Sequence, residues 1–178
     1  MAEEFSNHKV KRTDYHFVIA ANFTADFIIP GFEFWFSELE LNADVSITPY
    51  NQILQELINP NSQLCSNQKG ISVLLLRVSD WLRELDKQTM ESDDKISDFI
   101  EKTAREFVLA VKTHRELCKV ETMLVFCPFD KSLRHFEVLK NAQQQLSDSL
   151  EGLPGLSVVS ASDAHEIYNV RERDIYDP

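Results

Sequence analysis

Glycine is scarce in this chain, at 4 of 178 residues, and proline occurs only 6 times. No repeat or low-complexity tract appears. The isolated Gly31 cannot build a glycine-rich, phosphate-cradling loop, so neither ATP nor a dinucleotide is implied, and no cofactor is expected. Cysteine is also sparse. Cys65, Cys118 and Cys127 are odd in number and scattered over different elements, which does not read as a disulfide framework. A reducing cytoplasm is the expected setting. Positive charge is in deficit, with 18 Lys+Arg against 29 Asp+Glu, a formal charge of −11 and a pI of about 4.9. Phosphate binding runs on clustered Lys and Arg, so nucleic acid is excluded as a partner. Anionic membrane surfaces are disfavoured for the same reason. No apolar run approaches the roughly 20 residues that span a bilayer. Met1 to Asp14 lacks the apolar core of a signal peptide. The sequon Asn22-Phe23-Thr24 therefore reads as chance.

What is present is enough apolar material for a core. The hydrophobic share is 43%, with 12 Phe, well outside the range of a disordered acidic tail. The length suits one domain. The expected organisation is a flexible segment over 1–14, a single α/β domain over 15–170, and the start of a linker over 171–178.

Five strand-like runs alternate with helical patterns. The strands are Tyr15 to Ala21, Ala43 to Pro49, Ile71 to Val78, Glu121 to Phe126 and Leu156 to Ser160. Ile71 to Val78 is nearly continuous in apolar residues, the mark of a strand covered on both faces. Helical spacing appears over Gly31 to Leu41, with Phe32, Trp35, Phe36 and Leu39 on one face and Phe34 outward. It recurs over Tyr50 to Ile58, Lys95 to Cys118 and Ser132 to Leu150. Gln63 to Gly70 reads as a polar loop, and Ser92-Asp93-Asp94 offers N-caps. Alternation of this kind implies a parallel sheet with helices on both faces, because parallel strands need crossovers. The expected fold is a three-layer α/β sandwich in flavodoxin-like order, 2-1-3-4-5. Ligands in such folds sit beyond the C-terminal strand ends. The loops from Asn22 to Pro30, Arg77 to Trp81 and Ser160 to Asn169 should meet there.

Three stretches carry a family resemblance. Ala20 to Leu64, Ile71 to Trp81 and Tyr168 to Pro178 resemble the N-terminal domain of the FkbH-like family. Asn22-Phe23-Thr24, Pro49-Tyr50-Asn51-Gln52 and Leu76 to Trp81 are the most specific pieces. The resemblance implies an SGNH-hydrolase-like fold. In the family it precedes a phosphatase-like domain that loads glyceryl units onto carrier proteins. A related form stands in nonribosomal peptide and polyketide synthases. It implies a cytoplasmic part of natural-product biosynthesis, whose partners are adjacent synthase domains or a carrier protein. Arg171-Glu172-Arg173 and Lys9 to Arg12 are the basic patches that would meet an acidic carrier. The acidic whole instead favours contact with a neighbouring domain.

The departures bear on activity. The chain has no Asp-x-Asp phosphatase motif after its first strand. An SGNH hydrolase needs a Gly-Asp-Ser turn after strand one, a Gly-x-Asn-Asp segment after strand three and a late Asp-x-x-His. Here Thr24 is the nearest hydroxyl, Asn22, Arg77, Ser79 and Asp80 line the expected pocket, and Asp163 and His165 are one residue short of the expected spacing. A remodelled catalytic set would be Thr24, Asp163 and His165, acting in acyl or glyceryl transfer or ester hydrolysis. The favoured reading is a non-hydrolytic pseudoenzyme. Asp163, His165 and Glu166 read as a solvated turn, and no metal site is expected. His114, Arg115 and Lys119 read as cations at a helix C-terminus. Cys127 reads as a buried thiol. The aromatics of 32–36 offer either a docking surface or a second core face.

Overall fold

The computed structural model describes residues 13–90 and 92–160. The expected sites Asp163, His165 and Glu166, the basic patches at 9–12 and 171–173, and the linker at 171–178 lie outside the described residues.

Five strands form one all-parallel sheet: β1 (Tyr15–Ala21), β2 (Ala43–Ile47), β3 (Gly70–Leu76), β4 (Glu121–Phe126) and β5 (Leu156–Val159). Their order is β2-β1-β3-β4-β5, the flavodoxin-like order that the alternation implies. Six helices connect them: α1 (Ile29–Glu38), α2 (Ile53–Ile58), α3 (Gln63–Ser66), α4 (Lys87–Met90), α5 (Asp93–Leu117) and α6 (Phe136–Leu150). α2, α5 and α6 share one face with Val18, Ala20, Leu74, Leu76, Leu124 and Phe126 of the sheet, and this is the main core. α1 covers the other face at the β1–β2 edge, where Phe32 and Phe36 pack on Phe17 with ring centroids 5.9 and 5.0 Å away. The direction in which successive strands are added reverses between β1 and β3, so the loops there diverge.

Local chemistry accounts for the elements. Ser72, Leu74 and Leu76 point to the main core, while Val73 lies on the opposite face and is also buried, which leaves β3 covered on both sides. α5 keeps Ile96, Ile100, Ala104, Phe107 and Val111 inward, and the Ser92 hydroxyl caps it by accepting from the Lys95 amide. Gly70 enters β3 at φ +115°, and a Cβ there would overlap the backbone of His16 on β1.

Three local expectations are corrected. Trp35 and Leu39 are 59% and 61% exposed rather than inward. α1 overlies the edge of the sheet, where only the narrow stripe of Phe32 and Phe36 finds a surface to cover. Gln63 to Ser66 is a helical turn rather than a loop, capped by the Ser62 hydroxyl. Cys65 and Cys118 are joined as a disulfide, because α3 and the end of α5 come together. Among the described residues no helix is long and apolar enough to cross a membrane.

Candidate functional site

The C-terminal strand ends carry the polar cluster that the sequence places there. Asn22 follows β1 directly and is 3% exposed. Its amide clasps the backbone after β3. Nδ2 donates to the Arg77 carbonyl at 2.9 Å, and Oδ1 accepts from the Arg77 amide at 2.9 Å. The Arg77 guanidinium donates to Asp80 Oδ2 at 3.0 Å and stacks 4.8 Å above the Phe23 ring. Arg83 approaches the other Asp80 oxygen at 3.7 Å. Asp80 is held by the 3-10 turn Val78–Glu84, which also buries Val78 and Trp81. Cys127 follows β4 beside this cluster. Burial pushes its thiol up to about 11, with opposing influences from Arg77 and Asp80.

Asn22, Arg77 and Asp80 therefore come together as expected. Ser79 is half-buried in the same turn, and Thr24 is exposed. The third loop begins at Ser160 and continues beyond the described residues. The cluster is internally paired: the buried amide is spent on backbone, and the buried carboxylate on two guanidinium groups. That chemistry locks the two loops at the β1–β3 switch point. Within this cluster Arg77 Nε is buried without a hydrogen-bond partner, a condition that Asp44 Oδ1 and Thr48 Oγ1 share elsewhere among the described residues.

A second constellation lies at the opposite end of the sheet. The β1–β2 register pairs His16 with Asp44 and Val18 with Ser46, so Asp44 and Ser46 flank His16 on one face. His16 Nε2 is 2.9 Å from Ser46 Oγ, and Nδ1 is 2.9 Å from Asp44 Oδ1. The Nδ1 contact is a close ion-pair distance set off the hydrogen-bond direction, since Oδ1 has no hydrogen-bond partner. A cavity of about 540 Å³ opens here, lined by Tyr15, His16, Ser46, Gln63, Asn67 and Lys69 among others. Ser46 Oγ and His16 Nε2 are in hydrogen-bond reach, as a nucleophile and base must be, while the off-direction Asp44 contact leaves the orienting hydrogen bond unmade. Ser46 nevertheless sits within a regular strand rather than on the exposed turn that such nucleophiles favour. Sequence reasoning missed this set. Its only local signal is the polar half of the β2 alternation, Asp44 and Ser46. The register that brings His16 between them is a long-range property.

A third cluster joins Cys65, His114 and Cys118 at the same end of the sheet as His16. The expectation that His114 is a cation near the α5 C-terminus is corrected. His114 is wholly buried, and burial together with Arg115 pushes its pKa down to about 4. It is neutral at pH 7, while Arg115 carries the charge. The Arg115 guanidinium reaches the carbonyls of Val120 and Pro154 and the Thr122 hydroxyl.

No family model matches the chain, and no curated protein matches it. Among solved structures, it is similar to the N-terminal part of the protein BF1531 from Bacteroides fragilis, which contains a phosphatase domain and was complexed with Mg. The TM-score is 0.65 at 8% identity, over 86% of this chain and 42% of that one. The chain thus spans less than half of that structure. At such identity the likeness concerns the fold alone.

Proposed function

We propose that the chain is an accessory, non-hydrolytic domain of a nonribosomal peptide or hybrid polyketide synthase, acting by contact with a neighbouring domain. The observation that carries this reading is the apolar surface on and beside α1. Phe27, Phe34, Trp35 and Leu39 are 86%, 56%, 59% and 61% exposed. Such clustered aromatics are enriched at interfaces. Asp26, Glu33, Glu38 and Glu40 are their neighbours along the chain and are themselves exposed. The matching partner is an apolar cleft with a Lys/Arg rim. Carrier proteins are typically acidic, so like charge disfavours them. The self-paired Asn22–Arg77–Asp80 cluster supports the non-hydrolytic part, because its amide and carboxylate are already engaged with backbone and guanidinium groups. The resemblance of Ala20 to Leu64 supplies the biosynthetic context and, with it, a cytoplasmic setting.

The test is titration of the chain against isolated condensation, adenylation and holo-carrier domains of the synthase that carries it. Saturable binding to one catalytic domain, weakened in a Phe34→Ser/Trp35→Ser double variant, is the expected result. Binding that this double change leaves intact, or binding to the carrier alone, overturns the reading.

The enzymatic alternative of acyl transfer or ester hydrolysis keeps one observation in its favour. It is the proximity of Ser46, His16 and Asp44, whereas the set of Thr24, Asp163 and His165 extends outside the described residues. Under it a fluorophosphonate probe labels the chain at Ser46, and His16→Ala abolishes labelling. An unlabelled chain removes this alternative.

A further inference from the structure

Cys65 lies on α3, His114 in the last turn of α5, and Cys118 directly after α5. Their two sulfurs and one ring nitrogen all lie within 4.8 Å of one another. Two thiolates and an imidazole form a borderline-soft donor set of the kind that selects zinc over magnesium or calcium.

The surroundings orient the imidazole for this role. His114 Nε2 lies 3.3 Å from Thr122 Oγ1, and Nδ1 lies 3.7 Å from Cys65 Sγ. The Thr122 hydroxyl faces the Val120 carbonyl at 3.4 Å and accepts from Arg115 at 2.9 Å. With its own proton turned to Val120, it is left as the acceptor for an Nε2 proton. This fixes the tautomer and leaves the Nδ1 lone pair facing the sulfur. Metal-bound histidines are commonly held by such an outer hydrogen bond. A cavity of about 430 Å³, lined by Cys65, Asn67, Gln68, Leu117, Cys118 and Lys119, adjoins the sulfurs.

We propose that the dithiol form of the chain binds one Zn²⁺ through Cys65 Sγ, Cys118 Sγ and His114 Nδ1, with a fourth position open to this cavity. Entry requires a dithiol reductant. The Cys65–Cys118 bond takes two electrons and two protons and becomes two thiols, while the reductant closes to its own disulfide. Zn²⁺ then displaces both thiol protons to solvent. Two thiolates and a neutral imidazole leave the centre without net charge. The same residues thus hold either a disulfide or a metal, and the redox state selects between them.

The test uses the full chain, reduced with dithiothreitol and desalted without oxygen. Titration with Co²⁺ should give tetrahedral d–d bands and a thiolate charge-transfer band, both abolished by one equivalent of Zn²⁺. Cys118→Ser and Cys65→Ser should weaken Zn²⁺ binding by about 100-fold or more, at or beyond the loss seen for outer-shell partners. The oxidised chain should bind none. Equal binding by the reduced wild type and Cys118→Ser overturns the proposal, as does equal binding by the oxidised chain. If the serine variants fail to fold, alkylation of the reduced wild type decides. Zn²⁺ should protect Cys65 and Cys118 from iodoacetamide while leaving the Cys127 rate unchanged. Identical labelling with and without Zn²⁺ sinks the idea.

Discussion

Asn22 ties two loops with one side chain, and both ends of its amide are spent on the Arg77 backbone. Asn22→Ala leaves the Arg77 N–H without its partner, while the Arg77 carbonyl keeps the Asp80 amide at 3.0 Å. That orphaned donor costs about 1–3 kcal/mol, and denaturant unfolding should show a loss in this range. A change below about 0.5 kcal/mol would mean that water replaces the amide without penalty. His114 tests a different principle. Its ordinary pKa near 6.5 falls to about 4 in the fold. Between those values the unfolded chain holds a proton that the native chain does not. Stability from this residue is therefore intact above about pH 6.5 and declines as pH falls towards 4. The full loss is on the order of 3 kcal/mol. Unfolding of the oxidised chain at pH 7 and pH 4.5 should show it, and His114→Gln should flatten that dependence. Neither role is visible in the linear sequence. Asn22 stands 55 positions from Arg77, and the burial of His114 depends on α3 closing over the end of α5.

The elements themselves were far more legible. The periodic runs located all five strands and the long α5, because their apolar spacing is also their packing. α1 shows where that logic stops. Phe32, Trp35, Phe36 and Leu39 share a helical stripe, yet the structure buries Phe36 and exposes Trp35 and Leu39. Periodicity reports which residues can face inward, not how wide a surface awaits them. At the sheet edge that surface is narrow. The two aromatics should therefore respond differently. Phe36→Ala removes a ring packed on Phe17 and Phe32 and should cost about 3 kcal/mol. Trp35→Ser should change stability by no more than about 0.5 kcal/mol, and its effect should appear in partner binding instead. Thermal melts of the two variants separate these outcomes. A large loss for Trp35→Ser would place that ring in the core and remove the docking surface.

At the scale of the whole molecule, strand order followed from alternation, whereas side-chain meetings set by register did not. His16, Asp44 and Ser46 meet because β1 and β2 pair in one register, and a slip of a single residue would turn Asp44 and Ser46 to the other face. Cys65 and Cys118 meet across 53 residues, a separation that no local pattern encodes. That distance also sets the largest effect open to a solvent condition. A cross-link of this span restricts the unfolded chain, and the loop-entropy model places its contribution at about 4 kcal/mol. Reduction in the presence of EDTA should therefore lower the melting temperature, by roughly 2–4 °C for each kcal/mol lost in a chain of this size. Cys65→Ser should melt at the reduced temperature whether or not reductant is present. Zn²⁺ added to the reduced wild type should recover part of the loss, since a ligand that binds only the folded form stabilises it. A melting temperature insensitive to reductant would show that the cross-link contributes nothing to stability, and that the packing of α3 against α5 holds this end of the sheet unaided.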